Sequence, residues 1–298
     1  MVYRDEVRRQ IGDMLAAGVI QKERTSYISP LVCVKKRDGN IRVCLDARGL
    51  NSKIKDLVNP PNPSELMANF KQGQIMSTIN LTQAYWQIPV LPDHTKYLGL
   101  VFEGETYSFC RFPFGLSTST ASLIRCLNKI LEGCNDFAQA YVDDLLIYPE
   151  NIADHLRHLK TIFQRFSDTG ITIKLRQCQF IRENVHFLGH VITSRGIEND
   201  EGRFKNISDF PVPRNLRELP GFLGLVNYEH RFCAGYAELT VPLLKLLKKG
   251  EKWRCGSDEM ESFRVIKSAF LKSMMLVHPD FKRTFYIQCD ATAYAVGG

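Results

Sequence analysis

Two adjacent aspartates, Asp143 and Asp144, interrupt the apolar stretch Ala140-Tyr-Val-Asp-Asp-Leu-Leu-Ile-Tyr148. Strand-forming residues on both sides predict a β-hairpin, with the acids at or beside its tight turn. Turns favour aspartate in any case, so the pair alone signifies little. Held on a rigid hairpin, however, two carboxylates suit a hard cation such as Mg²⁺, which takes one or two carboxylates together with substrate phosphates.

The chain has 298 residues, room for two or three compact units. No apolar run of membrane-spanning length occurs. The first residues lack the apolar core of a secretion signal, and the nine cysteines include no Cys-x-x-Cys pair. Reduced thiols in an intracellular, cytoplasmic protein are therefore expected, with the nucleus as a second compartment. Cys178, His186 and His190 lack a fourth ligand at zinc-finger spacing. The net charge of +7 is unevenly distributed: residues 1–60 carry +5, residues 61–150 carry −4 and residues 151–298 carry +6. An acidic middle between basic flanks suits a metal centre with arms that hold a polyanion. On charge alone, a solvated basic surface is an equally good reading.

Periodicity predicts an amphipathic first helix on Val7, Ile11, Met14 and Leu15. A hairpin is expected over Val32–Asp46, turning at Asp38-Gly39. Asn59–Ser64 reads as a break with Ser64 capping a helix. A strand at Met76–Leu81 follows, then a hairpin turning near Glu103-Gly104 and a helix over Ser117–Glu132. The helix Asp154–Gly170 would bury Leu156, Leu159, Ile162, Phe163 and Phe166, and end at Gly170. Strands are expected near Ile171–Leu175, Phe180 and Val185–Thr193. Beyond Pro211 and Pro213 the chain reads as mostly helical to Val277, with a last strand at Arg283–Ala291. The fold class is α+β, with an antiparallel central sheet.

Six motifs occur in order. They are Ser29–Gly39, Arg42–Asn51, Ser77–Pro89, Phe112-Pro-Phe-Gly-Leu116, the Tyr141–Asp144 turn and Phe187-Leu-Gly-His190. Together they resemble the reverse transcriptase (RNA-directed DNA polymerase) of the Pol polyprotein of gypsy-class long-terminal-repeat retrotransposons, along essentially the whole chain. The resemblance implies a right-hand polymerase, with fingers and palm at 1–195 and thumb and connection at 196–280. Residues 281–298 would open a ribonuclease H-like domain, with Asp290 as its first metal-binding acid and the remaining acids absent. It also implies two Mg²⁺ ions, deoxynucleoside triphosphates, an RNA or DNA template-primer duplex and, in the intact element, a virus-like particle.

Mapped by motif, Asp143 and Asp144 are the second and third metal-binding palm acids. Lys36 and Arg42 match residues that grip the incoming triphosphate; alone they read as a solvated hairpin face. Tyr85 matches the aromatic under the nucleotide sugar, where its ring would exclude a 2′-hydroxyl; alone it reads as core. Phe114 and Gly115 match the loop beside nucleotide and template. Phe187, Leu188, Gly189 and His190 match the hairpin that grips the primer. Packing is expected for Tyr228 and Phe232.

The departures cluster around chemistry. The first palm acid is replaced by Asn80, which keeps the shape of aspartate but not its charge. Ala47 replaces an aromatic, Ser119-Thr120 an Ala-Pro pair and Leu123 a phenylalanine. Gln177 replaces a lysine able to protonate pyrophosphate, with Lys174 and Arg176 as distant substitutes. Glu229-His230 replaces Tyr-Arg. Pro220 is expected inside a helix, costing about 3 kcal/mol. Weak or lost polymerase activity is the expectation; the alternatives are a non-catalytic nucleic-acid-binding protein or the inert product of a decayed element.

Overall fold

The computed structural model describes residues 3–35, 39–54, 75–148, 151–199, 201–251, 253–271, 275–277, 284, 290–291 and 296–297. They divide into two compact units, one ending at Val185 and the other beginning at His186.

The first unit has two cores. In one, helix α1 (Arg4–Ala16) lays Val7, Ile11 and Met14 onto the sheet β1-β6-β5 (Ile20–Lys22, Glu105–Phe109 and Gly99–Phe102). The hairpin of β2 (Leu31–Lys35) and β3 (Ile41–Leu45) adds Val43 and Leu45 to the same core. Its last register pair is Lys35↔Ile41; the expected turn at Asp38 lies outside the described residues, as does the expected break and cap at Asn59–Ser64. The β5–β6 turn falls at Glu103-Gly104 as expected, both residues having positive φ.

The second core lies under the four-stranded sheet β7-β8-β4-β9 (Ala138–Tyr141, Asp144–Ile147, Met76–Asn80 and Gln179–Arg182). Helices α2 (Thr118–Ile130) and α3 (Ile152–Thr169) cover it with Leu123, Leu127, Leu159, Ile162 and Phe166. Leu123 is wholly buried. We expect Leu123→Ala to cost about 2–5 kcal/mol, because the vacated space cannot fully close; equilibrium urea unfolding measures this.

The helix expected at Asp154–Gly170 is present, capped by the Asn151 side chain and ended by Gly170 at positive φ. Its buried face differs from the apolar pattern. Leu156 and Phe163 are exposed, while His155 is wholly buried. The reason is polar pairing: His155 Nε2 and Ser77 Oγ share a hydrogen bond of 2.6 Å, and Ser77 Oγ accepts the Ile181 N–H. Burial, and then His158, lower the His155 pKa, favouring the neutral ring. The strand expected at Ile171–Leu175 is instead a single bridge, Leu81↔Ile173, followed by a 3₁₀ turn at Leu175–Gln177.

The second unit contains the sheet β10-β11-β12-β13 (Val185–Phe187, His190–Ile192, Gly196–Asn199 and Leu276–Val277). It also holds helices α4 (Glu201–Ser208), α5 (Leu219–Tyr228), α6 (Tyr236–Lys245) and α7 (Ser257–Leu271), with α7 packed on α4 and α6. Pro220 lies in the first turn of α5, where its missing N–H would have no partner within the helix. The interior-proline cost expected for it does not arise; among the described residues, Pro242 is the proline inside a helix, in α6. Of the last expected strand, Thr284, Asp290 and Ala291 are described; Thr284 is outside any strand, and Asp290 and Ala291 form β14, which pairs with β15 (Val296–Gly297).

Candidate active site

The Tyr141↔Asp144 register closes β7 and β8 with a two-residue turn, Val142-Asp143. Val142 has φ +55°, a positive value at the first turn position as in a type II′ turn. A β-branched side chain there is strained, at an order of 1–3 kcal/mol. The turn leaves Asp143 exposed and starts β8 at the half-buried Asp144.

On its other edge β8 pairs with β4, and that register sets Asn80 directly opposite Asp144. Asn80 Nδ2 donates to Asp144 Oδ1 at 2.6 Å. The Leu81 N–H donates to the Asp143 carbonyl at 2.9 Å, and the Lys174 N–H to the Asn80 carbonyl at 2.7 Å. Asn80 is thus held by its own strand and by the segment entering β9. Among the described residues, no third His, Cys, Asp or Glu joins the two acids in a metal-holding group.

Burial raises the Asp144 carboxyl above its ordinary value; the Asn80 hydrogen bond opposes this and Asp143 reinforces it. A raised folded-state value means that Asp144 favours folding when protonated, below the ordinary aspartate range near about pH 4. That contribution is lost as pH rises through the folded value. Asp144→Asn is therefore expected to raise the melting temperature relative to the parent at pH 7, and by less at about pH 4. Melting curves at both pH values check this; a constant difference would contradict it.

Arg42, Asn80, Tyr85, Phe114, Asp143 and Lys174 line one cleft of about 440 Å³. Tyr85 rises from the 3₁₀ turn Ala84–Gln87 and meets the Phe114 ring edge-on at 5.1 Å. The Arg42 guanidinium lies over the other part of this aromatic wall, 4.6 Å from the Phe114 centroid. Behind the wall, the Leu45 N–H donates to the Phe114 carbonyl at 2.9 Å. Gly115 has φ +104°, and a Cβ there would collide with the Leu45 carbonyl oxygen. Asn51 clamps the loop twice: Nδ2 donates to the Gly115 carbonyl and Oδ1 accepts the Ser117 N–H, each at 2.9 Å. Two cations, two rings and the Asp143 carboxylate facing one cleft, with Asp144 beside it on Asn80, can hold a polyphosphate with a flat base and a sugar.

Residues 34–192, more than half of the chain, match the family described as reverse transcriptase (RNA-dependent DNA polymerase). The chain belongs to this family. It is 31% identical to the retrovirus-related Pol polyprotein from transposon 297 of Drosophila melanogaster, over 98% of this chain and 28% of that polyprotein. Against the Pol polyprotein from transposon gypsy of the same organism, identity is 29% over 98% of this chain and 30% of the relative. The chain therefore spans less than a third of these polyproteins. The fold matches a foamy viral protease-reverse transcriptase in complex with double-stranded DNA at TM-score 0.85 and 28% identity, covering 92% of this chain and 49% of the other. A foamy viral protease-reverse transcriptase in complex with an RNA/DNA hybrid matches at TM-score 0.84 and 26% identity, covering 93% and 38%. The right-hand polymerase fold and the kinship with long-terminal-repeat retrotransposons expected from the motifs are thereby established.

The cleft brings Arg42, Asn80, Tyr85, Phe114 and Asp143 together, with Asp144 bonded to Asn80 and Gly115 bracing Phe114 from behind. Lys36 lies outside the described residues. Phe187, Leu188, Gly189 and His190 form a tight hairpin in the second unit, with Leu188 and Gly189 at positive φ in its turn. Phe187 and His190 are buried there. His190 stacks on Phe232 at 5.6 Å and Tyr228 at 6.3 Å, with the Glu229 carboxylate 4.0 Å from Nδ1. Phe187, His190, Glu229 and Phe232 build the interior beneath the turn.

Sequence reasoning missed three contributors. Lys174 had appeared too distant, yet it lines the cleft. Asn51 lay inside a recognised motif without a role. Thr120 looked like a lost proline, but its hydroxyl bonds the Tyr85 phenol at 2.9 Å. No periodicity reports such contacts, which link residues far apart in sequence.

Proposed function

We propose that this chain is the template-directed polymerase portion of a retrotransposon Pol polyprotein, with an intact nucleotide pocket and a metal centre weakened by Asn80. The first core would serve as fingers, the second as palm, and the unit from His186 as thumb and connection. The observation that carries this reading is the Asn80–Asp144 pair: the register of the palm strands is kept while an amide N–H occupies an oxygen of an acid.

The residues present fit one divalent ion and not two. Asp143 and Asp144 suit a single hard cation that also takes phosphate oxygens. A second close ion would lack a carboxylate to offset the mutual repulsion. A divalent ion such as Mg²⁺ held by Asp143 and Asp144 would neutralise charge on the incoming triphosphate. The chain's own residues supply the rest. The Arg42 guanidinium offers phosphates a fork of donors, and Lys174 adds a positive charge at the same cleft. The rings of Tyr85 and Phe114 give the sugar and base an apolar wall. The bound molecules in the matching foamy viral structures support a double-stranded nucleic acid or an RNA/DNA hybrid as partner.

The test is a titration of a labelled RNA/DNA template-primer, with and without the next complementary deoxynucleoside triphosphate. Binding should weaken steeply with salt, as phosphate contacts release counterions. The correct nucleotide should tighten the complex more than a mismatched one. Salt-insensitive binding, or indifference to the templated base, would remove the reading.

The Asn80–Asp144 hydrogen bond also supports a second reading, a duplex-binding protein without catalysis, because it satisfies Asp144 in the absence of any metal. Salt-sensitive binding with no extension under any divalent ion would select it.

A further inference from the structure

Ser119 and Thr120 stand where the family pattern has Ala-Pro, and on sequence they read as erosion. Their surroundings argue otherwise. Both lie in the first turn of α2, and their hydroxyls bond the segments that carry Phe114 and Tyr85 into the cleft. Ser119, almost wholly buried, donates to the Pro113 carbonyl at 2.8 Å and so braces the loop that presents Phe114. The Thr120 hydroxyl and the Tyr85 phenol share a hydrogen bond of 2.9 Å. Neither bond could be made by the alanine or the proline of the pattern.

Tyr85 is the group whose ring would face the nucleotide sugar. A tyrosine side chain swings about χ1, which carries the ring and its phenol tip together, while χ2 only turns the ring about the axis on which the hydroxyl lies. Two contacts restrain it here: the Phe114 edge at 5.1 Å on one side and the Thr120 hydroxyl at its tip. Thr120 is itself fixed, because it sits on a helix rather than a loop. A ring held at both points keeps its distance from the sugar's 2′ position. A ring held only by Phe114 can yield to an extra hydroxyl.

We infer that Thr120 is a positioning residue for sugar selection, anchoring the Tyr85 phenol so that the ring discriminates deoxyribonucleotides from ribonucleotides. The inference rests on the proposed reading of the cleft as a polymerase nucleotide pocket. It acts on recognition and does not require the metal centre to be competent.

The experiment measures dissociation constants of dGTP and GTP on the protein–template-primer complex with a templating C, in Mg²⁺, for the parent and four variants. For the parent, GTP should bind more weakly than dGTP. Thr120→Val keeps the shape and removes the hydroxyl; it should reduce the GTP/dGTP ratio about three- to tenfold, the worth of one hydrogen bond, mainly by tightening GTP. Thr120→Ser restores a hydroxyl and should keep the parent ratio, which controls for damage to the helix. Tyr85→Phe should reduce the ratio as Thr120→Val does, and adding Thr120→Val to Tyr85→Phe should change nothing further. A Thr120→Val ratio within about twofold of the parent, or equal weakening of both nucleotides, overturns the role of Thr120 while leaving the pocket reading intact. A parent that binds dGTP and GTP alike overturns both.

Discussion

Asn80→Asp is expected to raise primer extension at least about 10²-fold, the usual worth of one preorganised electrostatic contact at a reacting centre. The geometry favours a clean gain. The β4–β8 register already sets position 80 opposite Asp144, and its backbone is fixed by the Lys174 N–H and the β4 ladder. Aspartate has nearly the shape of asparagine, so the substitution changes charge rather than position. It also removes the N–H that now occupies Asp144 Oδ1. The same change carries a cost in the metal-free protein. A third carboxylate beside Asp143 and Asp144 adds like-charge repulsion and deletes a hydrogen bond. The variant should therefore melt lower than the parent without divalent ions and recover more of that loss when Mg²⁺ is added. Two measurements check the idea: extension of a templated primer, and melting with and without Mg²⁺. Equal, robust extension by parent and variant would sink it, because Asn80 would then be no lesion.

Gly115→Ala is expected to be the most damaging small substitution in the cleft. Two penalties combine there. A non-glycine residue at φ +104° is strained by about 1–3 kcal/mol. Its Cβ would also overlap the Leu45 carbonyl, so the loop must move away from β3. Moving it breaks the Leu45–Phe114 hydrogen bond and loosens both bonds from Asn51, each worth about 0.5–1.5 kcal/mol. Together these predict a loss of about 3 kcal/mol or more, with Phe114 displaced from its place against Tyr85. Gly104→Ala is the matched control: φ is +82°, but nothing lies within 4 Å of the added Cβ. It should show the strain alone, about 1–2 kcal/mol. Denaturant unfolding of both variants, with dGTP affinity measured alongside, separates strain from collision. Comparable losses from the two would mean that the Leu45 contact has no energetic weight.

Much of this was legible along the chain. The hairpin bearing Asp143 and Asp144 announced itself because its strands are apolar on both sides of the acids. The helix ending at Gly170 was equally plain, having helical apolar periodicity and a glycine stop. Its buried face was misread at Leu156, Phe163 and His155, since an apolar pattern cannot foresee that Ser77 waits to pair with His155. Pro220 was misjudged by a few residues of helix boundary, enough to turn an interior break into an ordinary first turn. Within the site, the aspartates and Arg42 belonged to recognisable motifs. Lys174, Asn51 and Thr120 did not declare themselves, because their roles depend on which strands and loops meet in space.

The hairpin at Val142-Asp143 also restricts how the gene can change. β8 is hydrogen-bonded along both edges, to β7 and to β4, so the parity of its residues is pinned from two sides. Asp144 meets Asn80 only because Leu145, its neighbour, faces the core. Slipping the strand by a single residue would exchange them, carrying a carboxylate into the hydrocarbon interior and setting a leucine against Asn80. An insertion or deletion of one codon in the turn would therefore be more harmful than most replacements there: the segment tolerates spelling errors better than errors of length.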